Sequence, residues 1–182
     1  MSNKYDEIMQ QLGAKPINGR KTLLSDTQLD KMEADLGHPL PADYREFIRC
    51  YGGYQLPDGG GFPVKPNVDN KRRAYIETIC GWQPDLATTK DDYYGYYLDS
   101  DMSWDFYPDS GVELVRSYPP DTETITWPKE LIVIGEDGGA NSICLAISGL
   151  RPGAVFCWRT SGNVYLAADS FDEFMHSLSL ED

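Results

Sequence analysis

Residues 131–158, LIVIGEDGGANSICLAISGLRPGAVFCW, constrain the fold of this chain more than any other stretch. Three short apolar runs are separated by two Gly-rich breaks, each short enough for a hairpin. Leu131–Ile134 is apolar at every position, which fits a strand covered on both faces. In Ile143–Ile147, the large Ile143, Leu145 and Ile147 alternate with the small Cys144 and Ala146. Ala154–Trp158 alternates in the same way, with Phe156 and Trp158 on one side and Val155 and Cys157 on the other. Pairing Ile147 with Ala154 across the Ser148–Gly153 loop sets Leu145 opposite Phe156 and Ile143 opposite Trp158, which collects the bulky residues on one face. The same register sets Cys144 opposite Cys157. A slip of one residue scatters that face. The stretch reads as the centre of a sheet, not as an active site.

Around this centre the chain has room for one domain spanning 1–182, since the soft prior is about 150 residues per domain. Such a length buries a core without disulfide or metal support. Hydrophobic content of 41% and charged content of 25% are those of an ordinary soluble protein. The opening MSNKYDEIMQQLGAK has no apolar signal-peptide core, and no apolar run approaches a membrane span. A cytoplasmic protein is expected. Cys50, Cys80, Cys144 and Cys157 form no C-x-x-C pair and have no His at zinc spacing, so they read as reduced, small hydrophobes. A net charge of -13 argues against direct contact with nucleic acid or an anionic membrane and favours a basic partner.

Helix signals cluster at the two ends. Tyr5, Ile8, Met9 and Leu12 make one apolar face, with Gly13 placed to stop it. Ser25 and Gln28 form a capping box ahead of Leu29, Met32 and Leu36, and Gly37 ends that helix. Pro41 suits the first turn of a third helix, whose core face is Tyr44, Phe47, Ile48 and Tyr51 and which Gly52-Gly53 close. Ser170 and Glu173 form a second capping box, before Phe171, Phe174, Met175 and Leu178. Between the ends, strands are expected over Phe62–Val64, Ala74–Ile79 and around Val164 and Leu166, with Lys71-Arg72-Arg73 as a solvated turn and Val112–Val115 as a further candidate strand.

Chemistry-bearing motifs are sparse. Asp99–Asp105 resembles the start of a calcium loop, but Trp104 and Ser110 stand where an EF-hand needs its turn Gly and bidentate Glu. Gly135–Gly139 lacks the Gly-Lys-Ser/Thr of a phosphate cradle and reads as a hairpin loop. His38 sits at a helix-ending Pro turn and His176 in the last helix, so they read as a buried pair or as two surface residues rather than as a general base, and there is no G-x-S-x-G elbow. No catalytic residue, metal site or cofactor is expected.

Residues 91–123 are different in kind. They carry nine acidic residues against the single Arg116, interleaved with Tyr93, Tyr94, Tyr96, Tyr97, Trp104, Phe106, Tyr107 and Tyr118. A solvated acidic loop is one account. Eight aromatics are many for a loop, and rings beside carboxylates suit a protein-binding surface, where rings bury area and charges steer. The candidate partner-binding residues are Asp91, Asp92, Tyr94, Tyr97, Asp101, Trp104, Asp105 and Tyr107.

Four pieces, spread over nearly the whole chain, resemble the SUKH superfamily of Smi/Knr-type domains. Leu36-Gly37, Leu40-Pro41 and Tyr44 through Phe47 to Gly52-Gly53 are similar to its opening helix. Trp127-Pro128 with Leu131–Gly135 resembles its first core strand. Gly139-Ala140-Asn141 with Ile143–Leu145, then Gly153 through Trp158, resembles its hairpin and following strand, and Ala168–Phe171 through Leu178 its closing helix. Ala140 replaces a usual Gly and Ala146 a common polar residue, so the resemblance assigns no ligand to that loop.

The resemblance implies an α+β fold: a largely antiparallel central sheet with N-terminal helices and a C-terminal helix packed on it. It implies a cytoplasmic immunity protein of a bacterial polymorphic-toxin or contact-dependent inhibition system, acting without catalysis on a toxin domain such as a nuclease. The expected partner is that basic toxin domain, with neither nucleic acid nor membrane bound. The alternative, implied by the fungal members, is a regulatory or scaffolding domain of cell-envelope or signalling assemblies.

Overall fold

The two chain ends supply helices and the middle supplies a sheet. A computed structural model of the protein describes residues 3–19, 21, 23–64, 73–79, 131–139, 141–149, 151–158 and 164–180. The elements are α1 (Asp6–Gln11), β1 (Lys15–Pro16), a 3-10 turn (Ile17–Gly19), α2 (Asp26–Leu36), α3 (Ala42–Tyr51), β2 (Tyr54–Pro63), β3 (Arg73–Ile79), β4 (Leu131–Glu136), β5 (Ser142–Ala146), β6 (Val155–Trp158), β7 (Val164–Ala168) and α4 (Phe171–Ser177). The strands lie in chain order, β1 through β7, each antiparallel to the next. The fold is α+β, with the expected helices at both ends.

Local chemistry explains the helix boundaries. The Ser25 hydroxyl accepts from the Gln28 N–H at 3.3 Å while the Gln28 side chain accepts from the Ser25 N–H at 2.9 Å, a complete capping box at α2. Gly37 closes α2 with φ of 72°, a left-handed conformation that suits glycine. At α4 the Ser170 hydroxyl accepts from the Glu173 N–H, and the Glu173 carboxylate reaches one residue further back than a box requires, to the Asp169 N–H at 2.9 Å. Pro41 caps α3 from just outside it, with the helix starting at Ala42.

One core cluster joins the four described helices to one face of the sheet. Its aromatic heart is Phe171 of α4, whose ring centroid lies 5.0 Å from Phe47, 5.1 Å from Tyr44 and 5.8 Å from Tyr5. On the sheet side, the row Ile132–Leu145–Val155–Ala168 crosses four strands and faces this cluster. The alternate row Val133–Cys144–Phe156–Leu166 is buried too. The sheet centre is therefore covered on both faces.

That double burial corrects the expected register of the central hairpin. Ile143 stands opposite Cys157, Cys144 opposite Phe156 and Leu145 opposite Val155, one residue away from the bulky-on-bulky pairing. The loop closes on Ala146 rather than Ile147: the Ala146 N–H donates to the Ala154 carbonyl at 2.9 Å, and the Gly153 N–H to the Ala146 carbonyl at 2.8 Å. With both faces dry, neither face needs all the bulk, and Phe156 beside Cys144 fills its row evenly. Cys144 and Cys157 consequently lie on opposite faces, both buried. Trp158 stands opposite Ser142, and its side chain lies outside the described atoms.

Two strands differ from expectation in extent. β2 starts at Tyr54, eight residues before Phe62, and its pairing with β3 shifts register between Gln55 and Gly60. Pro57 and three successive glycines hide such a strand from any alternation pattern. Arg73 opens β3 instead of sitting in a turn. Lys71, Arg72, Cys80 and the candidate strand Val112–Val115 lie outside the described residues.

Gly135 shows how tightly β3 and β4 meet. A Cβ there would overlap Ile76 Cδ1 and stand 2.8 Å from the Thr78 carbonyl oxygen, a backbone atom that cannot swing away. Gly135→Ala should therefore cost about 1–3 kcal/mol, the usual range for an overpacked core, measured as a shift in the urea midpoint. An unchanged midpoint would mean that β3 and β4 are not in this contact.

Candidate functional site

The eight candidate partner-binding residues, Asp91, Asp92, Tyr94, Tyr97, Asp101, Trp104, Asp105 and Tyr107, lie outside the described residues, as does the Asp99–Asp105 run. What is described is where their segment attaches. Residues 80–130 connect Ile79, the end of β3, to Leu131, the start of β4, which is the middle one of the seven described strands. Ile79 sits opposite Gly135 and Thr78 opposite Glu136, so the two strands overlap only at the far end of β4.

Beside that junction is an acidic hairpin turn between β4 and β5. Asp137 Oδ1 accepts from the Gly139 and Asn141 N–H groups, each at 2.8 Å, and Oδ2 accepts from the Asn141 side-chain amide at 2.6 Å. The Glu77 carboxylate lies against the same turn, 2.7 Å from where a Cβ on Gly138 would stand. A phosphate cradle needs N–H groups turned toward its anion. Here the Gly139 and Asn141 N–H groups are committed to the turn's own carboxylate.

The helical side carries a polar network that no sequence pattern assembles. Asn3 ties the chain start to α3: its amide donates to the Glu46 carbonyl at 2.9 Å, and its side-chain oxygen accepts from the Tyr5 N–H at 3.0 Å. The Tyr5 hydroxyl donates to Asp172 at 3.0 Å, and Lys4 Nζ stands 2.8 Å from the same carboxylate oxygen. Asp43 of α3 accepts from the Asp172 N–H at 2.9 Å, placing a carboxylate at the positive end of α4. The Tyr51 hydroxyl donates to Asp6. Tyr5 is legible as a core-facing helix residue; its partner 167 positions away is not.

Cations on this side are paired. Arg45 contacts Asp26, Asp30 and Glu33, and Arg49 contacts Asp26 at 2.5 Å, lacing α3 to α2. Arg151 pairs with Asp169 at 3.0 Å. His176 is exposed, with Nδ1 2.8 Å from the Asp172 carbonyl, and His38 lies half-buried after α2. Among the described residues, no group of three or more His, Cys, Asp or Glu side chains is arranged to hold a metal ion, and no helix is long and apolar enough to cross a membrane.

These contacts set a pH dependence. The hydrogen bond from Lys4, then that from Tyr5, holds the Asp172 carboxyl below the ordinary aspartate range; Arg49 and Arg45 do the same for Asp26. Burial, then the hydrogen bond to Asp172, pushes the Tyr5 phenol up, so it stays a donor at neutral pH. A carboxyl with a depressed folded pKa stabilises the fold fully above its unfolded value of about 3.9 and loses that contribution as pH falls through the folded value. Surface ion pairs contribute about 0–1 kcal/mol, so Asp172→Asn should lower the melting temperature at pH 7 by up to about 2–4 °C. The deficit should shrink as the pH is brought below 3. Circular dichroism melts at both pH values check this, and a deficit independent of pH would contradict it.

The comparisons with known proteins agree with this architecture. The profile of the SMI1 / KNR4 family (SUKH-1) matches residues 23–177. That span runs from the segment before α2 to the last residue of α4. Over 156 residues the chain is 28% identical to the SPbeta prophage-derived uncharacterized protein YokK of Bacillus subtilis (strain 168), covering 83% of this chain and 72% of that protein. No solved structure matches. With a family profile spanning α2 to α4 and an antiparallel sheet flanked by terminal helices, the chain belongs to the SMI1/KNR4 (SUKH-1) family.

Proposed function

We propose that this protein is a non-catalytic, cytoplasmic immunity protein that binds and neutralises a bacterial toxin domain. The observation that carries the reading is membership of a family associated with immunity-type domains and with protein–protein interaction with toxins. The charge of the chain supports it. A toxin that cuts nucleic acid needs a basic cleft, and a protein with net charge -13 competes for such a cleft by complementarity. Among the described cations, Arg45, Arg49 and Arg151 are each paired with carboxylates of the same molecule.

Residues 91–123 are the proposed contact. Asp91, Asp92, Asp101 and Asp105 steer the encounter from a distance screened beyond about 8 Å at physiological salt, and Tyr94, Tyr97, Trp104 and Tyr107 supply the desolvated contacts that slow dissociation. Surface-binding kinetics at two ionic strengths, with whichever toxin domain the neighbouring genes are found to encode, test both roles. Asp101→Asn combined with Asp105→Asn should lower the association rate and flatten its salt dependence. Trp104→Ala should raise the dissociation rate about thirtyfold, the equivalent of a 2 kcal/mol hot spot. Failure of the unaltered protein to bind that toxin domain would remove the immunity reading. Binding that both variants leave untouched would move the contact away from 91–123.

A further inference from the structure

We draw no further inference here: the strongest candidate, the apolar face of the sheet turned away from the helices at Val133, Cys144, Phe156 and Leu166, carries nothing, because among the described residues nothing shows what covers it.

Discussion

Phe171 holds the molecule together. Its ring contacts Tyr5 from the chain start and Tyr44 and Phe47 from α3, with Phe174 alongside at 6.3 Å. The first helices and the last are far apart in sequence, so each must be brought to the sheet by something other than local preference. Helices as short as α1 and α4 are not stable alone. They persist because this shared aromatic cluster buries one side of each, and aromatic pairs in edge-to-face geometry add about 0.5–1.5 kcal/mol beyond area burial. The polar ties around it, Asn3 to the Glu46 carbonyl and Asp43 to the Asp172 N–H, fix the orientation of elements that the rings have already drawn together.

Much of this was legible in the sequence, and the reason is physical. Helix ends are written in single residues: Ser25 with Gln28, Gly37, and Ser170 each satisfy a specific backbone group, and each does so in the structure. The apolar face of α3 is legible because Tyr44, Phe47, Ile48 and Tyr51 repeat at helical spacing and all four are buried. The register of the central hairpin was not, because alternation of bulk fixes register only where one face is wet and a slip exposes apolar surface. With Val133, Cys144, Phe156 and Leu166 buried on the second face, both registers bury the same residues, and the closure at Ala146 decides between them. β2 escaped for a different reason. Its Pro57 and Gly59–Gly61 give no pattern at all, and its place in the sheet comes from Tyr54 pairing with Ile79 and Phe62 with Ala74, contacts between distant residues.

The candidate partner-binding segment, outside the described residues, was singled out by composition alone. Periodicity reports burial against a scaffold, and residues 91–123 show no sustained period. Charge and aromatic content are what remain to be read: nine acids, one base and eight rings between Asp91 and Glu123. The polar network around Asp172 is the converse case. It is visible only in three dimensions, since Lys4, Tyr5, Asp43 and Asp172 carry no common sequence signal.

Where residues 80–130 are inserted bears on how the sheet holds its register. Adjacent antiparallel strands need only a two-residue turn, yet residues 80–130 separate β3 from β4. The fold tolerates this because closing a longer loop costs little: each doubling of length adds only about 0.6 kcal/mol of closure entropy. The closure is also already supported on either side of the junction. β3 is held by β2 through six residue pairs and β4 by β5 through five, so neither depends on the two pairs they share. The register of β3 on β2 and of β4 on β5 is thus set by residues on either side of the connection, whatever its length.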